Sequence, residues 1–223
     1  QLAVFGRFSN GFVFPHFDKL REGDGNTNGI TQIEAGVKYD PRKLFSLFAT
    51  GYMTDYDASE ALVGGQFAPR QFKTKSFGVE LDGALFVGDL TVRAIGTVQS
   101  TEITESSDPT IEGKKILRQP DWQVRIGPSY NLPVGSFSVN VYAALRLVGE
   151  RFADNTNQVK LDGYEKVDGG ATLSTPGGLS FNLHVDNLTD SDALTEGDPR
   201  NLAAPNGRPI FGRSIRFSVA YDL

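Results

Sequence analysis

The sequence predicts an all-β protein, an antiparallel up-and-down sheet of about ten strands. Three observations point there. Apolar and polar residues alternate with a period of two along most of the chain. No segment shows a helical period. Long polar connections alternate strictly with tight turns.

The elements follow in order. A first strand over 2–10 runs into a long loop, 11–29. Strands over 30–39 and 43–57 are joined by the turn Asp40-Pro41-Arg42, and a second long loop covers 58–70. Strands over 71–86 and 90–104 meet at Gly88-Asp89, and the stretch from Phe77 to Val87 alternates cleanly. A third long loop spans 105–117. Strands over 118–131 and 136–152 meet at Leu132-Pro133-Val134-Gly135. Here Trp122, Val124, Ile126, Pro128 and Tyr130 share one face. In the next strand Phe137, Val139, Val141, Ala143, Leu145 and Leu147 share one face, against Ser138, Asn140, Tyr142, Ala144 and Arg146. After a loop at 153–160, strands over 161–174 and 179–188 meet at Thr175-Pro176-Gly177-Gly178. A last loop, 189–209, leads to a final strand over 210–222. In an up-and-down sheet this order puts every tight turn at one end and every long loop at the other.

Composition removes several function classes. With 16 Phe and 7 Tyr in 223 residues the chain is not a disordered tail. A net charge of −5 argues against a broad grip on nucleic acid. The absence of Cys excludes disulfides, thiolate zinc sites and a cysteine nucleophile. His16 and His184 are the only histidines and make no imidazole cage. No apolar run reaches the ~20 residues of a transmembrane helix, which leaves membrane barrels open. The chain begins at Gln1, and is read as a mature chain or a fragment.

Alternation fits both a soluble sandwich and a membrane barrel. Three features favour the barrel. Several strands exceed the usual ~5–6 residues of globular sheets. The connections alternate as outer-membrane barrels require. Trp122 and Tyr130 lie at opposite ends of one apolar face. At ~3.3 Å per residue and ~40° tilt they are about 20 Å apart in height, close to the ~25 Å between aromatic girdles. The opposite face carries Glu34, Lys38, Glu80, Asp82, Arg93, Arg125, Arg146 and Arg216, which would line a polar lumen.

Several motifs then resemble one family. Val4-Phe5-Gly6-Arg7-Phe8-Ser9-Asn10-Gly11-Phe12 with Pro15 looks like a strand entering an outer loop. Glu34-Ala35-Gly36-Val37-Lys38-Tyr39, Ser76-Phe77-Gly78-Val79-Glu80-Leu81-Asp82-Gly83, Pro120-Asp121-Trp122, Val185-Asp186-Asn187-Leu188-Thr189-Asp190 and Gly212-Arg213 follow in the family's order. The chain resembles the C-terminal β-barrel portion of a TonB-dependent outer-membrane receptor. That resemblance implies the last ten or so strands of a ~22-stranded transmembrane barrel, with the plug and the N-terminal strands absent from 1–223. It implies outer-membrane localisation and active uptake of a scarce nutrient, most often a ferric siderophore. Its partners would be outer-membrane lipid, the barrel-assembly machinery and, through the missing N-terminal part, the TonB complex. No cofactor and no catalysis are implied. The family's usual terminal Phe is Leu223 here; the alternation Phe217, Val219, Tyr221, Leu223 would still serve as the assembly signal.

Candidate ligand contacts are outer-loop residues able to stack on or pair with an anionic or aromatic cargo: His16, Phe17, Arg21, Phe67, Arg70, Arg118 and Arg200. The run Asp24-Gly25-Asn26-Thr27-Asn28-Gly29 matches half a calcium loop, but its chelating Glu should stand at Ala35 and Glu34 is one place early. Asn187-Leu188-Thr189 is formally a glycosylation acceptor, read instead as a strand end. Glu80 and Asp82 are expected to pair with Arg93 or other lumen cations, and His184 to face the lumen. Two other readings remain at this point: a self-contained small outer-membrane barrel, enzyme or adhesin, and a soluble glycan-binding β-sandwich.

Overall fold

The computed structural model describes residues 1–14, 27–41, 44–60, 70–197 and 206–222. Its strands are β1 (Leu2–Val13), β2 (Asn28–Tyr39), β3 (Phe45–Glu60), β4 (Arg70–Val87), β5 (Leu90–Ser106), β6 (Trp122–Val134), β7 (Phe137–Val148), β8 (Arg151–Phe152), β9 (Lys160–Leu161), β10 (Tyr164–Ser174), β11 (Leu179–Asp186), β12 (Leu194–Gly197), β13 (Gly207–Pro209) and β14 (Ser214–Tyr221). One ten-stranded sheet runs β1-β2-β3-β4-β5-β6-β7-β10-β11-β14. Every neighbouring pair in it is antiparallel. The ribbons β8–β9 and β12–β13 sit within the last two long connections. Among the described residues the long strands form this one sheet and not the two packed sheets of a sandwich.

Tight turns join the strands at one end, where Gly88, Gly135 and Gly178 take φ of +58°, +61° and +83°. That is the left-handed region, which glycine occupies without a Cβ clash. The long connections all lie at the other end. The first two are shorter than the sequence suggests, because β1 runs to Val13 and β3 to Glu60, and the last three are longer.

Four strand ends are overrun by the period-two pattern. The expected strand 118–131 begins only at Trp122, because Arg118 turns to φ +62° and gives its N–H to Phe152. The expected 136–152 ends at Val148 and 161–174 starts at Tyr164. Gly149 and Gly163 lie at that break, and a Cβ on Gly163 would sit 2.7 Å from the Val148 carbonyl. The expected 210–222 starts at Ser214, since Ile210 and Arg213 bond back to Ala193 and Asp190.

The register sorts the side chains into two faces. Val4, Val37 and Ala49 share the outer face, as do Phe8, Ile33, Met53 and Phe77, and Leu183 with Phe217. These large residues are exposed: Phe8 at 68%, Phe77 at 59% and Phe217 at 64%. The tight-turn end of this face carries Tyr39, Phe45, Tyr130, Phe137 and Tyr221, and the opposite end Trp122, Phe77 and Phe12. In water such a face would be a severe liability; in lipid it is the solvent-matched side.

The inner face is polar and ordered by cross-strand pairs. Asn140 bonds Asn131 at 2.6 Å and Thr172 bonds Asn182 at 2.8 Å. Lys38 lies 5.0 Å from the Phe5 ring. Rings also lie over glycines on adjacent strands. Phe5 covers Gly36, Tyr52 covers Gly78 and reaches Gln99 beyond it at 2.8 Å, and Tyr142 covers Gly170 and meets His184 Nδ1 at 2.9 Å. His184 thus faces inward, as expected. Glu80 and Asp82 also face inward, yet among the described residues neither makes the expected ion pair with Arg93. Arg93 stands opposite Ala84 and Gly127 instead, off their rungs.

Substituting the covered glycines tests this packing. A Cβ on Gly170 would lie 2.5 Å from the Leu183 carbonyl and 2.6 Å from Tyr142 Oη; one on Gly78 would lie 2.7 Å from the Val98 carbonyl and 2.8 Å from Tyr52 Oη. Gly78→Ala and Gly170→Ala should each cost about 1–3 kcal/mol, read as a lower urea midpoint in lipid vesicles. Gly51→Ala, whose nearest neighbour is the Ala35 carbonyl at 3.9 Å, should leave the midpoint unchanged.

Candidate functional site

Among the described residues, the outer end of the wall is built from three interlocked connections: 107–121, 149–163, and 187–197 with 206–213. The first folds over the inner face. Asp108 caps the short 3-10 turn Pro109–Ile111, and Ile111 is buried against Phe72 and Ile103, with Ala58 and Ile116 packed beside them. This small cluster is the main apolar core among the described residues. Gln99 of the Tyr52–Gly78 joint holds the base of the same loop through the Pro120 carbonyl at 2.9 Å.

The second connection is organised by buried polar side chains. Asp154, 3% exposed, accepts from the backbone N–H groups of Gln158 and Val159 and from the Thr156 hydroxyl. Asn155 and Asn157 cross to the first loop: Leu117 N–H donates to Asn155 at 3.0 Å and Lys115 N–H to Asn157 at 2.8 Å. Asn157 in turn donates to the Lys115 carbonyl at 2.9 Å.

Arg151 ties the second connection to the third. It is buried, and its guanidinium donates to the carbonyls of Leu194 at 2.7 Å and Thr195 at 3.1 Å, and more weakly to Gly149 and Asp162. The charge lies 5.3 Å from the Tyr164 ring. Burial lowers the Arg151 pKa from its ordinary value, an effect Tyr164 opposes; the guanidinium remains a cation. With carbonyls and a ring around it, it needs no carboxylate.

The third connection hangs on Asn187, which is fully buried at φ +53°. Its N–H donates to Asp168 at 2.9 Å, its amide to the carbonyls of Ser191 and Phe211 at 2.9 and 3.0 Å, and its carbonyl oxygen accepts from Ser191. Asp190 receives the Arg213 N–H at 2.9 Å. The Val185–Asp190 motif and Gly212-Arg213 therefore close the two ends of one loop upon each other. The same bonds leave Asn187 no free amide for a glycan. Beneath it Lys166 bridges Asp168 and Asp186 at 3.0 and 2.6 Å.

Of the candidate contacts, Arg118 lies in this assembly. It donates to the Gly197 carbonyl at 2.9 Å and stands 3.7 Å from Glu196, with its side chain 39% exposed. Arg70 opens β4 opposite Glu60. His16, Phe17, Arg21, Phe67 and Arg200 lie outside the described residues, as do Leu223 and the first half of the calcium-like run. Glu34 is engaged by Gln32 at 2.6 Å and Arg7 at 3.6 Å within the wall. Phe217, Val219 and Tyr221 all point outward from β14. Sequence reasoning missed Arg151, Asp154, Asn155 and Asn157. Their only signal is a polar cluster in a loop, which looks the same whether solvated or folded inward. A cleft of about 690 Å³ opens beside the assembly, lined by Asn28, Asp57, Phe72, Lys73, Glu105 and Glu112 among others.

A lipid-matched outer face, a polar inner face and elaborate loops at one end define the wall of an outer-membrane β-barrel. Residues 1–188 match the family described as TonB dependent receptor-like, beta-barrel. The chain belongs to this family of outer-membrane barrels. It is 24% identical over 201 residues to the ferrioxamine receptor of Yersinia enterocolitica, covering 86% of this chain and 27% of that protein. Its fold matches the ferric yersiniabactin uptake receptor of Yersinia pestis at a TM-score of 0.82 and 18% identity, covering 100% of this chain and 35% of that one. The ferric preacinetobactin receptor of Acinetobacter baumannii matches at 0.79 and 18%, covering 100% and 34%. The chain thus spans about a third or less of these relatives' lengths.

Asn187→Ala removes three polar contacts and should open the last connection by about 2–3 kcal/mol, at ~1 kcal/mol each. Limited proteolysis should then cut within 187–213 roughly 30–150 times faster than in the parent. Asp190→Ala, at an exposed pair, should change the rate only a few-fold.

Proposed function

We propose that this chain is part of an outer-membrane receptor that takes up a ferric siderophore by TonB-dependent active transport. The observation that carries the reading is the polar inner wall topped by braced outer loops, in a chain of this family. The ferrioxamine receptor and the two ferric-siderophore receptors above support the cargo class. The outer loops would capture the ligand, with His16, Phe17, Arg21, Phe67, Arg70, Arg118 and Arg200 as contacts. The role is transport rather than catalysis.

Residues 1–223 would form a partial barrel domain. β1 and β14 are the two edges of the sheet and do not pair with each other. An open edge leaves backbone donors and acceptors without partners in lipid, at several kcal/mol each. Further strands and a plug from the rest of the receptor would complete the barrel, and the plug would carry the TonB contact. This favours the large barrel over a self-contained small one. Phe217, Val219, Tyr221 and Leu223 would be read by the barrel-assembly machinery, and the outer face would then rest in lipid.

Uptake of radiolabelled iron by the full-length receptor, in cells lacking their other receptors, tests this. Saturable uptake of at least one ferric siderophore, ferrioxamine included, is expected, and should vanish in a TonB-deficient strain. Uptake of haem, vitamin B12 or a glycan instead would overturn the cargo. Uptake indifferent to TonB would overturn the transport reading.

A further inference from the structure

The inner face carries positive charge that its own carboxylates do not balance. One rung crosses the wall through Asp82, Ile95, Arg125, Arg146 and Lys166, each directly opposite the next. Lys166 is engaged by Asp168 and Asp186. Asp82 is separated from Arg125 by Ile95; at ~4.8 Å per strand their backbones are about 10 Å apart. Among the described residues, neither Arg125 nor Arg146 makes an ion pair. Arg93 adds a further cation opposite Gly127, two residues along β6 from Arg125.

Like charges directly opposite on neighbouring strands destabilise a sheet. Arg125 and Arg146 are such a pair, on the lumen face of a membrane wall. They also line a cavity of about 170 Å³ together with Ile95, Thr97 and Gln123. Thr97 and Gln123 face each other on the adjacent rung. The cavity is therefore lined by two arginines, a glutamine and a threonine and by no carboxylate; Glu80 stands one strand further out, opposite Thr97. That donor set suits one planar or tetrahedral oxyanion, which guanidinium groups bind in bidentate fashion.

We propose that Arg125 and Arg146, with Gln123 and Thr97 beside them, form a binding site for a single oxyanion, a carboxylate or a phosphate, on the inner wall of the barrel. The site depends on this face lining the lumen and not on which cargo the receptor carries. The carboxylate could belong to a protein segment filling the lumen; the alternative source is a free oxyanion.

The sign of a charge-removal effect decides the matter. Without an anion, neutralising either arginine relieves repulsion and raises stability. With one, it lowers stability. In the full-length receptor in detergent, Arg125→Gln and Arg146→Gln should each lower the melting temperature by about 1–2 °C, and the double variant should fall little further, because the anion is already lost. A rise, or no change, overturns the proposal. Adding inorganic phosphate in place of chloride at matched ionic strength separates the sources. Stabilisation of the parent but not of Arg146→Gln assigns a free oxyanion. Loss in the single variants without any phosphate effect assigns a protein carboxylate. Should Arg146→Gln fail to assemble, a high-resolution structure of the parent receptor decides. A carboxylate or oxyanion within hydrogen-bond distance of both guanidinium groups supports the site, and two separately hydrated guanidiniums overturn it.

Discussion

The backbone ladder of the ten-stranded sheet is the constraint on which everything else rests. Lipid offers no hydrogen bonds, so each N–H and C=O at membrane depth has to find its partner on a neighbouring strand. Continuous pairing from Leu2–Tyr39 across to Leu179–Tyr221 meets that demand everywhere but at the two outer edges, β1 and β14. Once the ladder is fixed, side chains alternate without choice: one face is apolar, the other polar. This explains why so few apolar residues are buried within the protein. Phe8, Phe77 and Phe217 are exposed on the outer face, where a bilayer would cover them in place of a second protein layer. The apolar cluster of Phe72, Ile103 and Ile111 forms only where the wall rises out of the membrane and a loop folds back upon it.

On the inner face no lipid and no second sheet hold the strands together laterally. Rings over glycines take that part. Tyr52 lies across Gly78 to reach Gln99, spanning β3, β4 and β5, and Tyr142 lies across Gly170 to His184, spanning β7, β10 and β11. Each joint puts a flat apolar surface where a side chain would otherwise stand, and ends in a hydrogen bond. Glycine weakens a strand by entropy and lost packing; the covering ring restores the packing. Because Gln99 also holds the Pro120 carbonyl, one joint fixes the wall and the foot of an outer loop together.

The sequence made the ladder legible because the period of two is imposed by geometry at every residue. It carried the faces, the order of long and short connections, and the strand pairs around Gly88, Gly135 and Gly178. It misplaced the outer ends of β6, β7, β10 and β14 for one reason. Alternation continues into segments that tertiary contacts pull out of the sheet, as when Arg118 bonds to Phe152 and Ile210 to Ala193. Gly149 and Gly163 marked the break, but a lone glycine in a strand pattern signals a bulge as readily as an end. The loop anchors were illegible for a different reason. Arg151 and Asp154 are charged residues in a polar loop, and only their burial against backbone groups distinguishes them from solvated ones.

Those anchors are polar because of where they work. A loop that leaves a membrane wall has few apolar residues to bury and many backbone groups to satisfy. Arg151 answers four carbonyls from two connections, Asp154 answers N–H groups within one, Asn155 answers the Leu117 N–H, and Asn157 and Asn187 answer both kinds. The described parts of the three connections are thereby tied to one another above β5, β6, β7, β10 and β11. Binding loses less entropy on a surface already ordered. The candidate contacts His16, Phe17, Arg21 and Phe67 belong instead to the connections between β1 and β2 and between β3 and β4, and Arg70 opens β4 at the end of the second of these. Backbone-directed polar groups thus brace the described part of the outer end, while most of the aromatic and cationic candidates lie in the first two long connections. Arg118 belongs to the braced part and Arg200 to its last connection. Contact by either would require the ligand to sit against the platform itself.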